Sequence, residues 1–249
     1  MTNERSRILE VVRKQLSIDM NCSNAHFTQD GVFFCEARLL EGRRPFTRQT
    51  PFLEIATMGK GVVVSADAGV LQWVAPALEN RTREDIFVAP FLYGHSIYYT
   101  PESIQPAATC SVDGFVFRDA EGPEIHGLYR YPGFENALGY DTNHPRPDVL
   151  ATYAVYGNEI AAVAGASADC DILWQIGIDV LPAYRNKGLA TILVRRLVSM
   201  IQSHGVVPYY GAASSNIASQ AVAFRSGLIP TWMCSYHNTL DGTFPFQKA

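Results

Sequence analysis

The chain has 249 residues, of which 47% are hydrophobic and 18% charged, and it carries a formal net charge of −4 with a pI near 5.9. These proportions are typical of a folded globular protein and exclude a largely disordered chain. Basic residues occur only in short runs such as Arg43–Arg44 and Arg195–Arg196, so we do not expect nucleic acid as a partner.

Membrane, targeting and redox signals are sparse in the sequence. No stretch approaches the roughly 18 uninterrupted apolar residues of a membrane span, and residues 1–7 do not lead into the apolar core of a signal peptide. The cysteines are odd in number, scattered and never spaced as C-x-x-C; they are Cys22, Cys35, Cys110, Cys170 and Cys234. We therefore expect a cytoplasmic protein with no membrane partner, no disulfide framework and no metal site.

The first part of the chain predicts a mixed α/β domain. Apolar residues at helical spacing indicate helices, and short apolar runs beside glycine turns indicate strands. The predicted elements are helices over 4–18 and 66–78 and strands over 31–40, 52–58 and 62–64. Segment 84–99 has no firm assignment. Turn-forming residues place a boundary between 100 and 127, which gives an N-terminal α/β domain over 1–115.

The second part of the chain has a sharper pattern. A β-hairpin is followed by a strand, a strongly amphipathic helix, a strand, a helix and a last strand. The predicted ranges are 149–157 and 160–166 for the hairpin, then 171–181, 188–204, 206–212, 216–225 and 228–238. Gly205 fits the left-handed residue that ends such a helix. This order implies a mixed sheet with helices packed on it, over a domain of residues 116–249.

One loop in this part has the composition of an anion site. A strand ends at Val180 and Leu181, Pro182 stops its pairing, and a basic segment containing Gly188 then enters the long helix. The first turn of a helix presents unpaired main-chain N–H groups and a partial positive charge. Gly188 lets a diphosphate approach the backbone closely, so the sequence predicts an anion site at this helix.

The same residues resemble the signature of the GNAT acetyltransferase superfamily. Arg185, Gly188 and Ala190 match R-x-x-G-x-A, and the stretch from Val180 to Arg185 matches V-x-P-x-Y-R. Residues 216–228 are similar to the later helix of the family, N-x-x-A-x-x-x-x-Y-x-x-G-F. The resemblance covers about residues 147–249 and implies an α/β (α+β) fold with a mixed, mostly antiparallel sheet flanked by helices. The strand–strand–helix order over 52–78 raises the hypothesis that the N-terminal part is a diverged half of similar topology.

The resemblance implies acetyl-CoA as co-substrate and a small amine-bearing acceptor. The backbone of Ile178–Val180 would pair with the pantetheine amides, the loop 185–190 would hold the pyrophosphate, and Asn216 would contact the pantetheine arm. The implied cofactor-binding residues are Ile178, Asp179, Val180, Arg185, Asn186, Lys187, Gly188, Leu189, Ala190, Thr191, Asn216 and Ser219. The amine would attack the thioester directly in a ternary complex, without a covalent enzyme intermediate.

Two departures from the family pattern leave the proton-transfer residues open. Phe224 stands where a tyrosine is usual and cannot donate a proton, and Ser219 stands where alanine is common. Ser219, Tyr209, Tyr210 or a water could supply the acid, or the thiolate could leave with little help because a thiol is already fairly acidic. Asp179 or His237 could be the base. Asp171 and Gln175 precede Asp179 on the same side of the predicted strand. The catalytic candidates are therefore Asp179, Ser219 and Tyr210.

Several alternatives stay open at this point. The chain could be a non-catalytic acyl-CoA-binding regulatory module, a phosphate-binding module of another kind, or a protein whose basic loop is an ordinary connection. His204 and Trp174 are interpreted as structural, and Asp169 and Asp171 as a solvated turn. A polar cluster precedes the hairpin and could line an acceptor pocket or be loop filler; it consists of Asn136, Tyr140, Asp141 and His144. The sequence leaves acceptor identity, acyl length and oligomeric state open, a homodimer included.

Overall fold

The computed structural model describes residues 3–45, 52–104 and 111–236. The helices are α1 (Asn3–Asp19), α2 (Ala68–Leu78), α3 (Arg83–Phe87), α4 (Leu189–Ser203) and α5 (Ile217–Arg225). The strands are β1 (Val32–Glu36), β2 (Leu53–Thr57), β3 (Val62–Ala66), β4 (Tyr93–Pro101), β5 (Phe115–Glu121), β6 (Asp148–Tyr156), β7 (Glu159–Ala168), β8 (Leu173–Val180), β9 (Val207–Ala213) and β10 (Leu228–Tyr236). Across the described ranges, no helix combines the length and apolarity needed to cross a membrane.

The predicted helices and strands are confirmed, with ends that differ by a few residues. Three elements have no counterpart in the prediction. Helix α3 and most of strand β4 lie in the segment 84–99 that had no assignment, and β5 lies inside the predicted boundary region. The hydrophobicity pattern of the sequence does not indicate strand β5, because most of its side chains are exposed or half-exposed.

The described chain forms two compact units, and neither is continuous in sequence. The first unit contains the residues up to Val11, Tyr99–Gly211 and Asn216–Ile229. The second contains Val12–Tyr98, Ala212–Ser215 and the chain from Pro230 onward. The division of the sequence into domains of residues 1–115 and 116–249 stays a prediction.

The first unit contains five neighbouring strands in the order β5-β6-β7-β8-β9. All neighbours are antiparallel except β8 and β9, which run parallel. Helix α4 packs against β6, β7 and β8 because its apolar residues recur at helical spacing. Its buried side chains are Leu189, Leu193, Val194, Leu197, Val198 and Ile201. The helix ends before Gly205, whose φ of 75° is the predicted left-handed closing conformation.

A loop over 129–147 packs closely on strands β7 and β8 of the same unit. A Cβ atom on Gly177 would lie 1.7 Å from the carbonyl oxygen of Asn136, and one on Gly165 would lie 1.8 Å from that of Ala137. No side chain fits in those distances, so glycine at both positions is what allows the loop backbone to rest on the strands. Phe134, Leu138 and the preceding 3-10 turn add an apolar cluster beneath the loop.

The second unit contains strands in the order β1-β3-β2-β10-β4. Strands β1 and β3 are parallel, whereas β2 is antiparallel to both β3 and β10. Helices α2 and α3 contribute to an apolar cluster with β2 and β3. The predicted strand–strand–helix order over 52–78 is thus present, and its origin as a diverged GNAT-like half stays a prediction.

Ionisable side chains are buried within the second unit. The Asp19 carboxylate accepts a hydrogen bond from Arg44 Nε at 2.6 Å and one from Gln15 Nε2 at 2.9 Å. Burial raises the pKa of Glu54 in β2 above its usual value, although nearby Arg44 opposes that shift. Burial also raises the pKa of the Cys22 thiol to about 12. The cysteines that the structure describes are free thiols, namely Cys22, Cys35, Cys170 and Cys234.

Candidate functional site

The loop between β8 and α4 holds two residues in the left-handed backbone conformation. After Val180 the chain makes a 3-10 turn over Pro182–Tyr184 and enters α4 at Leu189. Asn186 has a φ of 62° and Gly188, the residue that caps the helix, has a φ of 80°. Among the described residues other than its chain neighbours, a Cβ atom built on Gly188 would meet no atom within 4 Å. The backbone is therefore strongly curved and open above Gly188, a geometry that forms anion-binding nests.

The main-chain N–H groups of this loop have no intrachain acceptors among the described residues. No hydrogen bond is formed by the N–H groups of Asn186 to Thr191, and the first helical bond runs from Ile192 N to the Gly188 oxygen at 3.2 Å. No side chain caps the helix at Gly188. Arg185 and Lys187 are exposed beside these groups, and Arg185 Nε donates to the Val180 oxygen at 3.2 Å. Free donors, the helix dipole and two cations all favour a bound anion.

Strands β8 and β9 separate beside this loop. Their parallel pairing runs from Leu173 with Val207 to Ile176 with Tyr210, and the register ends there although both strands continue. On its other side, β8 stays paired with β7 as far as Val180. The segment after Ile176 therefore has one main-chain edge that β9 does not pair, and it includes Ile178, Asp179 and Val180. We call Ile176 and Tyr210 the branch point of the two strands.

Asp179, a predicted catalytic residue, is held by the loop that lies on β8. One carboxylate oxygen accepts from the Asn136 N–H at 2.7 Å and from the Ala137 N–H at 3.1 Å. The other accepts from Asn136 Nδ2 at 2.6 Å. Three donors on one carboxylate favour a role in fixing the loop. The assignment of Asp179 as a base stays a prediction.

Tyr210 and Ser219, the other predicted catalytic residues, are brought together. The Tyr210 hydroxyl lies 2.7 Å from Ser219 Oγ, and the tyrosine is 3% exposed. Asn216 caps α5, where its side chain accepts from the Ser219 N–H at 3.0 Å. Burial raises the pKa of Tyr210; the Ser219 hydrogen bond lowers it and the charge of Asp179 raises it further. The phenol therefore stays protonated at neutral pH.

A cavity of about 160 Å³ lies between the loop and strands β6, β7 and β8. Its charged or titratable lining residues are Glu135, His144, Arg146 and Asp148, and its strand residues include Gln175 and Gly177. Asp148 accepts from the Tyr129 hydroxyl and from the Gly139 N–H, both at 2.8 Å. Burial and the bond to Asp148 raise the pKa of Tyr129. Neither Glu135 nor Asp148 carries a sequence signal that marks it as part of a site.

The polar cluster that precedes the hairpin is divided by the structure. Asn136 and His144 line this cavity, whereas Tyr140 lines a neighbouring one of about 500 Å³. Asp141 accepts from the Asn143 N–H at 2.9 Å within its own turn. Two of the four residues in the cluster, Asn136 and His144, therefore share a cavity. That the cluster lines an acceptor pocket stays a prediction.

A buried hydrogen-bond network adjoins the cavity and contains Tyr209. The Tyr209 hydroxyl bonds to Asp169 and lies 3.2 Å from Gln175 Oε1. Arg146 Nη1 donates to Gln175 at 3.1 Å and lies 3.5 Å from Asp169. The solvated-turn interpretation is wrong for Asp169, which is 3% exposed because Tyr209 and Ser167 bind its carboxylate. No set of three or more His, Cys, Asp or Glu side chains is grouped for a metal in the part of the chain that the structure describes.

The remaining candidates have packing roles or lie elsewhere. His204 ends α4, where its Nε2 lies 3.3 Å from Glu121 Oε1 and its ring lies 5.6 Å from that of Trp174. These contacts agree with the structural interpretation of both residues. Thr191 accepts a 3.4 Å bond from Ser226 at its carbonyl oxygen, which ties α4 to the end of α5. His237 lies outside the described residues.

Comparisons with known proteins found similarity to the part of the chain that contains this loop and its flanking strands. Residues 150–231 match the family model of the GNAT acetyltransferases. A comparison with curated protein sequences found no match. Similar solved structures include a GNAT-family protein from Novosphingobium aromaticivorans, at 18% identity over 71% of this chain and 84% of that one, with a TM-score of 0.45.

Two further solved structures have comparable scores. A GCN5-related N-acetyltransferase-like protein from Streptococcus suis is 15% identical over 72% of each chain, with a TM-score of 0.44. YncA from Salmonella typhimurium, solved with acetyl-CoA, is 16% identical over 49% of this chain and 93% of that one, with a TM-score of 0.37. All three TM-scores are below 0.5.

Proposed function

We propose that the protein, whose residues 150–231 match the GNAT acetyltransferase family model, binds acetyl-CoA and transfers its acetyl group to a primary amine by direct attack in a ternary complex. The observation that carries this proposal is the open set of main-chain N–H groups from Asn186 to Thr191 at the start of α4. Within the described chain these donors have no acceptor, and apart from the adjacent residues no described atom lies within 4 Å of a Cβ built on Gly188. A diphosphate supplies the charge and oxygen atoms that such a site lacks.

The cofactor would lie between the loop and the open edge of β8. Arg185 and Lys187 would add positive charge to the diphosphate site. The main chain of Ile178 to Val180 would pair with the amides of the pantetheine arm, because β9 leaves that edge of β8 unpaired. Asn216 would contact the same arm with its side-chain amide nitrogen, since its oxygen caps α5.

The cavity beside Gly177 supplies a site for the acceptor. Two carboxylates, Glu135 and Asp148, and one guanidinium, Arg146, line it, and Arg146 lies 3.5 Å from the Asp169 carboxylate. The carboxylates of the lining outnumber its one guanidinium, which favours a protonated amine. The amine must lose a proton before attack, and Asp179 remains the predicted base.

A non-catalytic acyl-CoA-binding module is the second candidate. Phe224 favours it, since no hydroxyl is present on that side chain and its ring is 54% exposed. The two candidates share the cofactor site and differ only in the chemical step. The hydroxyl groups of Tyr210 and Ser219 lie on the same unit and favour the enzyme, because they offer donors that Phe224 lacks.

Two measurements on the purified chain test the proposal in sequence. Thermal unfolding with CoA, and separately with ATP, shows whether the site selects CoA, and we expect stabilisation by CoA alone. Release of free thiol from acetyl-CoA in the presence of a panel of primary amines then tests catalysis. Equal stabilisation by ATP and CoA would replace the proposal with a general phosphate site. CoA binding without thiol release would favour the regulatory module.

A further inference from the structure

A buried phenol and a partly exposed hydroxyl meet at the branch point of β8 and β9. Tyr210 is the last residue of β9 that pairs with β8, and its hydroxyl lies 2.7 Å from Ser219 Oγ. Tyr210 is 3% exposed, whereas Ser219 is only half-buried in the first turn of α5. The bond from the Ser219 N–H to Asn216 fixes that turn. The pair therefore connects a buried donor to a group that a ligand can reach.

The proposed cofactor site leads to this pair. A diphosphate at the start of α4 lies next to the end of β8. An extended arm that follows the open edge from Val180 to Ile176 covers four residue steps, or about 13 Å. The branch point, where Tyr210 and Ser219 lie, is at the far end of that edge. The far end of the arm of acetyl-CoA carries the thioester sulfur.

Resting on the proposed function, we propose that Ser219 and Tyr210 form a hydrogen-bond relay that stabilises the thioester sulfur as it leaves. Ser219 Oγ–H donates to the sulfur, and its oxygen accepts from the Tyr210 hydroxyl. Ser219 is then the catalytic residue, and Tyr210 is a positioning residue that acts through it.

The step balances without another reactant. The amine nitrogen forms a bond to the carbonyl carbon, the carbon–sulfur bond breaks, and its electron pair stays on sulfur. The nitrogen loses one proton to Asp179, the predicted base, and the sulfur leaves as a hydrogen-bonded thiolate that takes one proton from solvent. A hydrogen bond to an anion is worth more than one to a neutral group, so the relay favours the charged product over the neutral thioester.

Tyr99 offers a matched control in the same unit. Its phenol is 1% exposed, and its hydroxyl donates to Gln220 Oε1 at 3.2 Å. Its ring packs edge-on against Phe224, with ring centroids 5.4 Å apart. A Tyr99→Phe change therefore removes a buried hydroxyl close to the relay but leaves the Tyr210–Ser219 bond in place.

The test measures the acidity of bound CoA and needs no acceptor. A hydrogen bond to a thiolate lowers the pKa of the thiol, and a bond to a charged group is worth about 1.5–3 kcal/mol, or about one to two pKa units. CoA labelled at the carbon that carries the sulfur would be titrated by nuclear magnetic resonance on the full chain. We expect the bound thiol pKa to rise by about one to two units in Ser219→Ala, and by a smaller step in Tyr210→Phe.

The controls make each outcome decisive. Ser219→Thr keeps a hydroxyl and should keep the low pKa, and Tyr99→Phe should match the wild type. The double variant of Ser219→Ala and Tyr210→Phe should equal Ser219→Ala alone, since the phenol acts through the serine. An unchanged pKa in Ser219→Ala, or an equal rise in Tyr99→Phe, would overturn the relay while the cofactor site stands. Failure of CoA to bind the wild type would overturn the proposed function and the relay together.

Discussion

An aspartate at Gly188 should abolish tight CoA binding without unfolding the protein. Gly188 and Gly205 flank α4 and offer a matched pair of sites, with φ values of 80° and 75° and no atom within 4 Å of an added Cβ at either. A non-glycine residue in the left-handed conformation costs about 1–2 kcal/mol at each position. The helix dipole favours an aspartate at the start of α4 and disfavours one at its end, by about 0.3–1 kcal/mol each. Gly205→Asp should therefore be the less stable variant.

The loss of CoA affinity follows from the added charge. Two unit charges 4 Å apart repel by about 1 kcal/mol in bulk water and by about 4 kcal/mol near a protein surface. A diphosphate carries more than one charge, so Gly188→Asp should lose about 2–4 kcal/mol of binding free energy, or about 30- to 1,000-fold in Kd. Gly205→Asp lies at the other end of the helix, so screening by salt should leave its Kd close to that of the wild type.

Calorimetric titration with CoA and urea unfolding of both variants provide the assay. We expect the variant with the smaller stability loss, Gly188→Asp, to show the larger loss of CoA affinity. If Gly188→Asp binds CoA as tightly as the wild type while remaining folded, the diphosphate does not bind at the start of α4. If both variants lose affinity equally, the effect is one of stability and the electrostatic argument is wrong.

Four other changes test the remaining features of the structure. Gly177→Ala should destabilise the chain by about 1–3 kcal/mol in urea unfolding, because its Cβ would meet a loop carbonyl at 1.7 Å, whereas Gly69→Ala in the open first turn of α2 should be neutral or stabilising. Asp179→Asn should lower the free energy of unfolding by about 1–3 kcal/mol; full stability with lost thiol release would instead identify a base. Glu135→Gln should raise the KM for an amine without changing the Kd for CoA, and an unchanged KM would place the acceptor elsewhere. Glu54 has a raised pKa when folded, so wild-type stability should fall as pH rises above about 4.3 through that raised pKa; Glu54→Gln should remove that fall, and parallel urea-unfolding curves against pH would contradict the assignment.

The sequence predicts the C-terminal elements well because each has a strong local signal. Helix α4 has an amphipathic stripe and a glycine that ends it, and the hairpin of β6 and β7 has two apolar runs around a polar turn. Ile192 and Met200 lie on the apolar stripe of α4 and are half-buried, whereas Val194 and Val198 are fully buried. The helix packs across three strands, so tertiary contacts rather than the helical period decide which edge of the stripe is covered.

The loop before α4 can be predicted from the sequence, whereas the cavity cannot. The loop is one continuous segment, so its glycine, basic residues and following helix can be read together. The cavity combines residues from the long loop over 129–147 with strand positions such as Gly165 and Gln175. No spacing connects these segments before the chain folds. The hydrogen bonds that engage Asp179 come from Asn136 and Ala137, which are equally remote in sequence.

The position of β10 has a consequence for how the chain is synthesised. In the second unit this last strand lies between β2 and β4, and its Tyr236 pairs with Glu54 of β2. While a ribosome is still adding the intervening residues, β2 and β4 each present an unpaired strand edge, the kind of surface that other chains can join. The sheet of the N-terminal part is therefore complete only after the residues of β10, up to Tyr236, have been synthesised. A nascent chain stalled or truncated before Leu228 would retain those open edges and become a substrate for chaperones.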